Sequence, residues 1–325
     1  MHSTTKNLKT RQQIAAMAAH AFAGMQLAPH ADAVQELKDG WFNAAYAVTL
    51  ADGREFVLKI APPPTADVMS YEKNIMQTEV AAMRLVQQNP AIPVPSIAFF
   101  DDTLSMCDSA YFFMQKIAGT NLEQIRATLD PSIQAELDRQ IGSIMHQINS
   151  FSGSYFGYEG NPELRGTTWR ATFIKLIDAL LVDGQRKNVE FDHSYAEIRT
   201  AVLTHAAALD AVTTPQLVHW DAWNGNFFVR DSTIVGIIDF ERALWGDPLM
   251  EAQFRPFSGE SLINFMHGYG KISFTPAEEQ RCQLYSLYLA LVMAIECYYR
   301  NYDTDVVRTF ARQLLATTMA WLKAN

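Results

Sequence analysis

The segment HWDAWNGNFFVRDSTIVGIIDFE, from His219 to Glu241, constrains this chain more than any other. Phe227 to Val229 reads as a short apolar strand, Arg230 to Thr233 as a polar turn, and Ile234 to Ile238 as a second, β-branched strand. Such a hairpin returns Asp239 towards Asn226. Two oxygen ligands on adjoining strand ends can then share one metal cluster, which an unstructured segment of the same composition would not arrange.

The spacing matches the template HxDxxxxN, hairpin, Asp, with His219, Asp221, Asn226 and Asp239 at the fixed places. Moving a phosphoryl group requires that phosphate charge be neutralised and that the attacking oxygen be aimed. In that template Asp221 orients or deprotonates an acceptor hydroxyl, while Asn226 and Asp239 hold Mg²⁺ on ATP. His219 is expected to be structural, bonding the loop backbone. Asp247, in the Gly246 to Pro248 GDP triplet, is expected to brace the loop rather than bind metal.

HWDAWNGN together with IDFERALWGDP resembles the aminoglycoside phosphotransferase and choline kinase family. The resemblance implies an α+β, protein-kinase-like fold of two lobes, a small antiparallel-sheet N-lobe and a larger α-rich C-lobe. It also implies ATP and Mg²⁺ as cofactors and a small-molecule hydroxyl acceptor. The family commonly has Gly after the His, and often His two places after the Asp. Here Trp220 follows the His, and Ala222 and Trp223 follow the Asp, which spares the metal ligands and leaves the acceptor side of the loop open.

Length and charge fit that reading. A chain of 325 residues with 49% hydrophobic content suits two lobes around ample buried core. The formal charge is −9 and no Lys/Arg run occurs, so no nucleic-acid partner is expected. The opening MHSTTKNLKTRQQ lacks the apolar core of a signal peptide, and no stretch approaches the roughly 20 apolar residues of a membrane span. A cytoplasmic monomer or homodimer without membrane association is the expectation. Cys107, Cys282 and Cys297 are odd in number and far apart, which suggests neither a disulfide framework nor a zinc site.

The first 118 residues read as the ATP-binding lobe, with a hinge at about 113–119, and residues 119–325 as the helical lobe. A helix from Thr10 to Met25 precedes strands at Val34 to Lys38, Ala44 to Leu50 and Glu55 to Ile60. The turn Asp39-Gly40-Trp41-Phe42-Asn43 is able to lay backbone N–H groups over phosphates, and the resemblance makes Asn43 a phosphate neighbour. Lys59 in FVLKI resembles the strand lysine of kinases, which pairs with phosphates and with a helix glutamate. Glu79, midway along a helical pattern from Tyr71 to Gln88, matches that partner; Glu72 and Glu123 are the alternatives. A strand near Ile97 to Phe100 comes next. The run AYFFMQKIAGTNL resembles the hinge, whose adenine contacts would come from Gln115 and Ile117, with Met114 beside the base.

Helical periodicity then covers Ser132 to Asn149, Thr168 to Gln185, Ser194 to Leu209, Leu262 to His267 and Pro276 to Lys323, with Asp303 starting the last helix. Trp223, Glu241, Arg242, Glu251 and Glu296 are candidates to line the acceptor pocket, where carboxylates and aromatic faces would suit a cationic acceptor. Trp220 and Trp223 read equally as core props. The alternative to a kinase is a nucleotide-binding pseudokinase or scaffold. That class commonly lacks one of Lys59, Asp221, Asn226 or Asp239, and all four are present here.

Overall fold

The computed structural model describes residues 5–38, 40, 42–254, 259–302 and 305–325. Helix α1 (Arg11–Ala21) is capped by Thr10, whose side chain accepts from the Gln13 amide while Gln13 reaches back to Thr10. It stops short of the expected Met25 because Ala23 and Gly24 turn left-handed, at φ 52° and 83°. Strands β1 (Val34–Glu36), β2 (Ala44–Thr49) and β3 (Glu55–Ile60) follow, then α2 (Ile75–Val86), β4 (Ile97–Asp101) and β5 (Tyr111–Gln115). They form one antiparallel sheet in the order β1-β2-β3-β5-β4. Helix α2 begins later than its periodicity suggests, because Asn74 at φ 51° separates it from a single turn at Ser70–Glu72.

The alternation of side chains along these strands decides what packs where. Tyr46, Leu58 and Phe113 face α1, burying Ile14, Met17 and Ala18. On the opposite face Phe112 and Met114 pack with Met76, Val80 and Met83 of α2, in a core continuous with that of the helical lobe.

Beyond the sheet come β6 (Thr120–Asn121), α3 (Leu122–Ile125), α4 (Pro131–Asn149), β7 (Gly157–Tyr158), α5 (Trp169–Arg186) and α6 (Tyr195–His205). Strands β8 (Gln216–Val218), β9 (Phe227–Arg230), β10 (Thr233–Ile237) and β11 (Leu244–Gly246) precede α7 (Gly259–Tyr269), α8 (Pro276–Arg300) and α9 (Val306–Ala324). The periodic run from Pro276 is therefore two helices, because Asn301 turns left-handed at φ 48°. Asp303, expected to start the second, lies outside the described residues, as do Asp39 and Trp41 of the expected phosphate turn.

Two features of this lobe position the site. Strand β6 pairs with β9, so the chain leaving β5 docks at once on the β9–β10 hairpin. Helices α4 and α7 meet at glycines: a Cβ on Gly142 would lie 2.1 Å from the Phe265 carbonyl oxygen, and one on Gly268 1.9 Å from that of Arg139. Among the described residues no helix is long and apolar enough to cross a membrane.

Candidate active site

The loop between β8 and β9 is held from beneath by one carboxylate. Glu251, fully buried, accepts the His219 amide at 2.9 Å, the Trp220 amide at 2.9 Å and the Asn149 side chain at 2.8 Å. Trp220 adopts φ 46°, a region costly for a bulky L-residue, and is pinned there by its indole N–H, which donates to the Arg242 carbonyl. The glycine that the resemblance expects at this place would adopt that backbone without strain. The His219 ring nitrogen Nε2 lies 3.0 Å from the Ile238 carbonyl, and burial pushes the imidazole pKa down, the neutral state expected of a bracing residue.

Asp221 follows at the apex. Its pKa rises to about 6 through burial, against the pull of Arg242 and with reinforcement from Asp239 and Glu296. Its side chain keeps 29% exposure, so the carboxylate stays within reach of an incoming molecule. Arg242 Nε lies 3.5 Å from Asp221 Oδ2. Asn226 Nδ2 donates to the Asp221 carbonyl at 2.8 Å, which directs the other end of the amide away from the loop backbone.

The hairpin closes as its sequence suggests. Asp231 and Ser232 both take positive φ, the conformation of a two-residue turn matched to strand twist. At its open end the Ile238 amide donates to the Asn226 carbonyl at 3.0 Å, and Asp239 follows at φ 70°. Asp239 Oδ1 meets Lys59 Nζ at 2.7 Å, and the same ammonium donates to Glu79 Oε1 and Oε2 at 2.8 and 2.7 Å. Glu79 is thus the lysine's helix partner. Glu72 pairs with Arg300 instead, and Glu123 sits exposed on α3.

Burial alone would depress the Lys59 pKa, but Asp239, Glu79 and Glu241 around it prevail and raise it. Burial pushes Glu79 up to about 7, opposed by Lys59. The two-pronged contact at 2.7–2.8 Å is that of an ammonium and a carboxylate, and we assign the pair as ionised.

Glu241 is a correction. It was expected on the acceptor wall, yet it lies with the lysine, 3.8 Å from Lys59 Nζ, and accepts from Asn43 Nδ2 at 2.6 Å. Asp239 and Glu241 flank Phe240 in the short turn after β10, and both carboxylates approach the Lys59 ammonium. Oxygens of Glu79, Asp239 and Glu241 all lie within 4.8 Å of one another. This all-oxygen set, with Asn226 brought to it by the hydrogen bond from the Ile238 amide next to Asp239, fits a hard divalent cation such as Mg²⁺.

Glu251 and Glu296 are also engaged internally, the first by the loop and the second by Arg242 at 3.0 Å. The two tryptophans divide: Trp220 is buried, while Trp223 is 49% exposed with its ring against Gly225. Asp247 accepts from Arg281, Tyr285 and the Leu249 amide, and so braces the segment after β11. At the hinge, Met114 is buried opposite Val57, the Gln115 amide donates to the Ser96 carbonyl at 2.9 Å, and the Ile117 side chain covers Gly236.

A lysine held by carboxylates from both lobes, one of them electrostatically linked to the loop aspartate Asp221, suits direct phosphoryl transfer. That places the fold and site in the class of protein-kinase-like phosphotransferases. The model of the phosphotransferase enzyme family matches residues 33–277, and the chain belongs to that family. Among solved structures it is similar to a thermostable mutant of aminoglycoside phosphotransferase APH(4)-Ia in ternary complex with AMP-PNP and hygromycin B. There the identity is 18% and the TM-score 0.67, with 95% of this chain and 98% of that one covered. A streptomycin–ATP–APH(2")-IIa complex gives 15% identity and TM-score 0.63, covering 98% and 97%. A putative fructosamine-3-kinase from Thermobifida fusca gives 18% and 0.68, covering 96% and 99%. At these identities the likeness establishes the fold. No curated protein sequence matches the chain.

Proposed function

We propose that the chain is an ATP-dependent small-molecule kinase, transferring the γ-phosphoryl group of ATP to a hydroxyl of a small acceptor. The observation that carries this reading is the Lys59 ammonium joined at 2.7–2.8 Å to Glu79 of α2 and to Asp239 of the hairpin, across the two lobes. Residues 1–118 form the ATP-binding lobe, with a hinge at about 113–119, and residues 119–325 the lobe that carries the catalytic loop.

Asn226 and Asp239 would hold Mg²⁺, with Glu241 beside them. An ion bound there would supply positive charge to neutralise the phosphates. Lys59, kept cationic by its carboxylates, contacts phosphate oxygens; Asn43, from the turn before β2, stands on the same side. Main-chain groups of Gln115 and Ile117 hold adenine, with Met114 behind it. Asp221 aligns the acceptor hydroxyl, whose oxygen bonds to the γ-phosphorus as the β–γ bridging oxygen departs with ADP. The hydroxyl proton passes to Asp221 as the new P–O bond forms. Trp223 offers an exposed ring beside this carboxylate for the acceptor to lie against. The relatives crystallised with hygromycin B and streptomycin make such aminoglycosides the first acceptors to try.

The test is ADP formation by wild type and Asp221→Ala across aminoglycosides, amino-alcohols and sugars. At least one acceptor class should accelerate ADP release. The variant should lose on the order of 10²- to 10⁴-fold in kcat while ATP binding persists. Wild type that binds ATP but forms no ADP with any acceptor or water would establish the scaffold reading instead.

A further inference from the structure

A line of alternating charges runs from Asp221 back to the N-terminal lobe through the last turns of α8. Arg242 Nε lies 3.5 Å from Asp221 Oδ2, and a terminal guanidinium nitrogen of Arg242 donates to both oxygens of Glu296 at 3.0 and 3.2 Å. Glu296 also pairs with Arg300 one turn later and accepts from the Tyr302 hydroxyl at 2.9 Å. Arg300 donates to Glu72 at 2.6 Å, and its guanidinium lies 4.6 Å from the centroid of Phe42, the neighbour of Asn43. The side chains of Glu72, Arg300, Glu296 and Arg242 are only 1, 2, 5 and 10% exposed.

Burying two arginines and two glutamates is a poor way to gain stability, since the desolvation penalty consumes most of the attraction. What such a chain supplies is fixed direction. Guanidinium forks bind carboxylates at set angles, and here they join segments that each abut the site: Phe42 beside Asn43, Arg242 beside Glu241, and the Asp221 loop itself. The hydrogen bonds of Glu296 and Arg300 described above go to Arg242, Tyr302 and Glu72, and none of these is a member of the Lys59 cluster.

We propose that Glu296 and Arg300 are positioning residues for phosphoryl transfer: Glu296 sets Arg242 against Asp221, and Arg300 ties that arrangement to Glu72 and Phe42 of the N-terminal lobe. The aim of the acceptor-holding carboxylate and the seating of the phosphate turn are thereby set together. This inference rests on the kinase reading above.

The experiment uses the full-length protein with Mg·ATP, water serving as acceptor, and reads phosphate release together with nucleotide-binding stoichiometry. Glu296→Gln and Arg300→Met should lower kcat on the order of 10- to 100-fold, with KM for ATP changed less than about threefold. Arg300→Lys should recover only part of the rate, because an ammonium cannot fork between Glu72 and Glu296. Glu72→Gln/Arg300→Met removes one charge of each sign and leaves the Arg242–Glu296 pair whole. It should melt near wild type, bind one nucleotide and still be slow. Wild-type kcat in this double variant and in Glu296→Gln, or a rate loss that merely follows lost nucleotide binding, overturns the inference alone. Wild type that binds ATP and turns it over neither with water nor with any acceptor of the panel above overturns the kinase reading and the inference with it.

Discussion

Replacing Lys59 by Met should cost stability as well as activity, and by an amount that depends on pH. Glu79 is fully buried, and the Lys59 ammonium donates to both of its oxygens. Asp239, at 30% side-chain exposure, can turn to water when the ammonium goes, and Glu241 keeps Asn43. Glu79 has neither recourse, so in the variant it takes a proton. Its ordinary pKa is 4.5, and lifting a carboxyl from that value to neutrality costs about 1.4 kcal/mol for each of roughly 2.5 pH units. The deficit at pH 7 is therefore about 3.5 kcal/mol, the original ion pair being close to break-even against its own desolvation. Between the unfolded and the raised folded pKa the native state holds a proton that the unfolded chain has released, so raising pH favours unfolding. The deficit should shrink to about 1.4 kcal/mol at pH 5.5. Urea unfolding followed by tryptophan fluorescence, in EDTA at both pH values, measures it. Lys59→Met/Glu79→Leu should return to within about 1 kcal/mol of wild type. A single variant as stable as wild type at pH 7, or a deficit indifferent to pH, would refute the reasoning.

Other expectations concern packing and the N-terminal segment. Gly142→Ala puts a methyl into the backbone of α7, where the Phe265 carbonyl and Tyr269 amide cannot yield independently. It should cost about 1–3 kcal/mol in urea unfolding and raise amide exchange along α7; an unchanged midpoint would show that the helices separate freely. Asp108 is held at about 2 by hydrogen bonds from Lys9 and then Asn7. Its folded pKa is depressed, so its contribution is present above the ordinary carboxylate range and fades as pH falls towards 2. Solvent screening at this exposed carboxylate keeps that contribution below about 1 kcal/mol. Asp108→Asn should loosen residues 5–10 to amide exchange at neutral pH and make no difference near pH 2.

Local periodicity and spacing exposed much of this architecture. The alternation in Glu55 to Ile60, the hairpin from Phe227 and the capped helix from Pro276 appear where the side-chain patterns put them. The first helix ends early at left-handed Ala23 and Gly24, and two further helix boundaries moved at left-handed asparagines, 74 and 301, where one residue's backbone choice breaks a helix whose apolar pattern continues. The site divides similarly. Lys59, Asp221, Asn226 and Asp239 stand at spacings fixed by elements a few residues long. The partners of Glu72, Glu241, Glu251 and Glu296 depend on which segments meet after folding, and a carboxylate in sequence does not announce whether it will face a guanidinium, an amide or open solvent. Trp220 and Trp223 show the same limit three residues apart, one sealed under the loop and the other lying over it.

The docking of the hinge on the hairpin has a consequence for how such a chain can diverge. Ile117 rests on Gly236, and a Cβ on Gly119 would lie 3.2 Å from the Val229 carbonyl, while the same two strands end in Asn226 and Asp239. Under the proposed function, the wall that would face the purine and the residues that would grip its phosphates belong to one mechanical part. A bulkier residue introduced at 236 or 119 to reshape the base pocket would be felt at the metal ligands a few residues away. Changes of nucleotide preference in this lineage are thus expected to need paired substitutions on both sides of that contact.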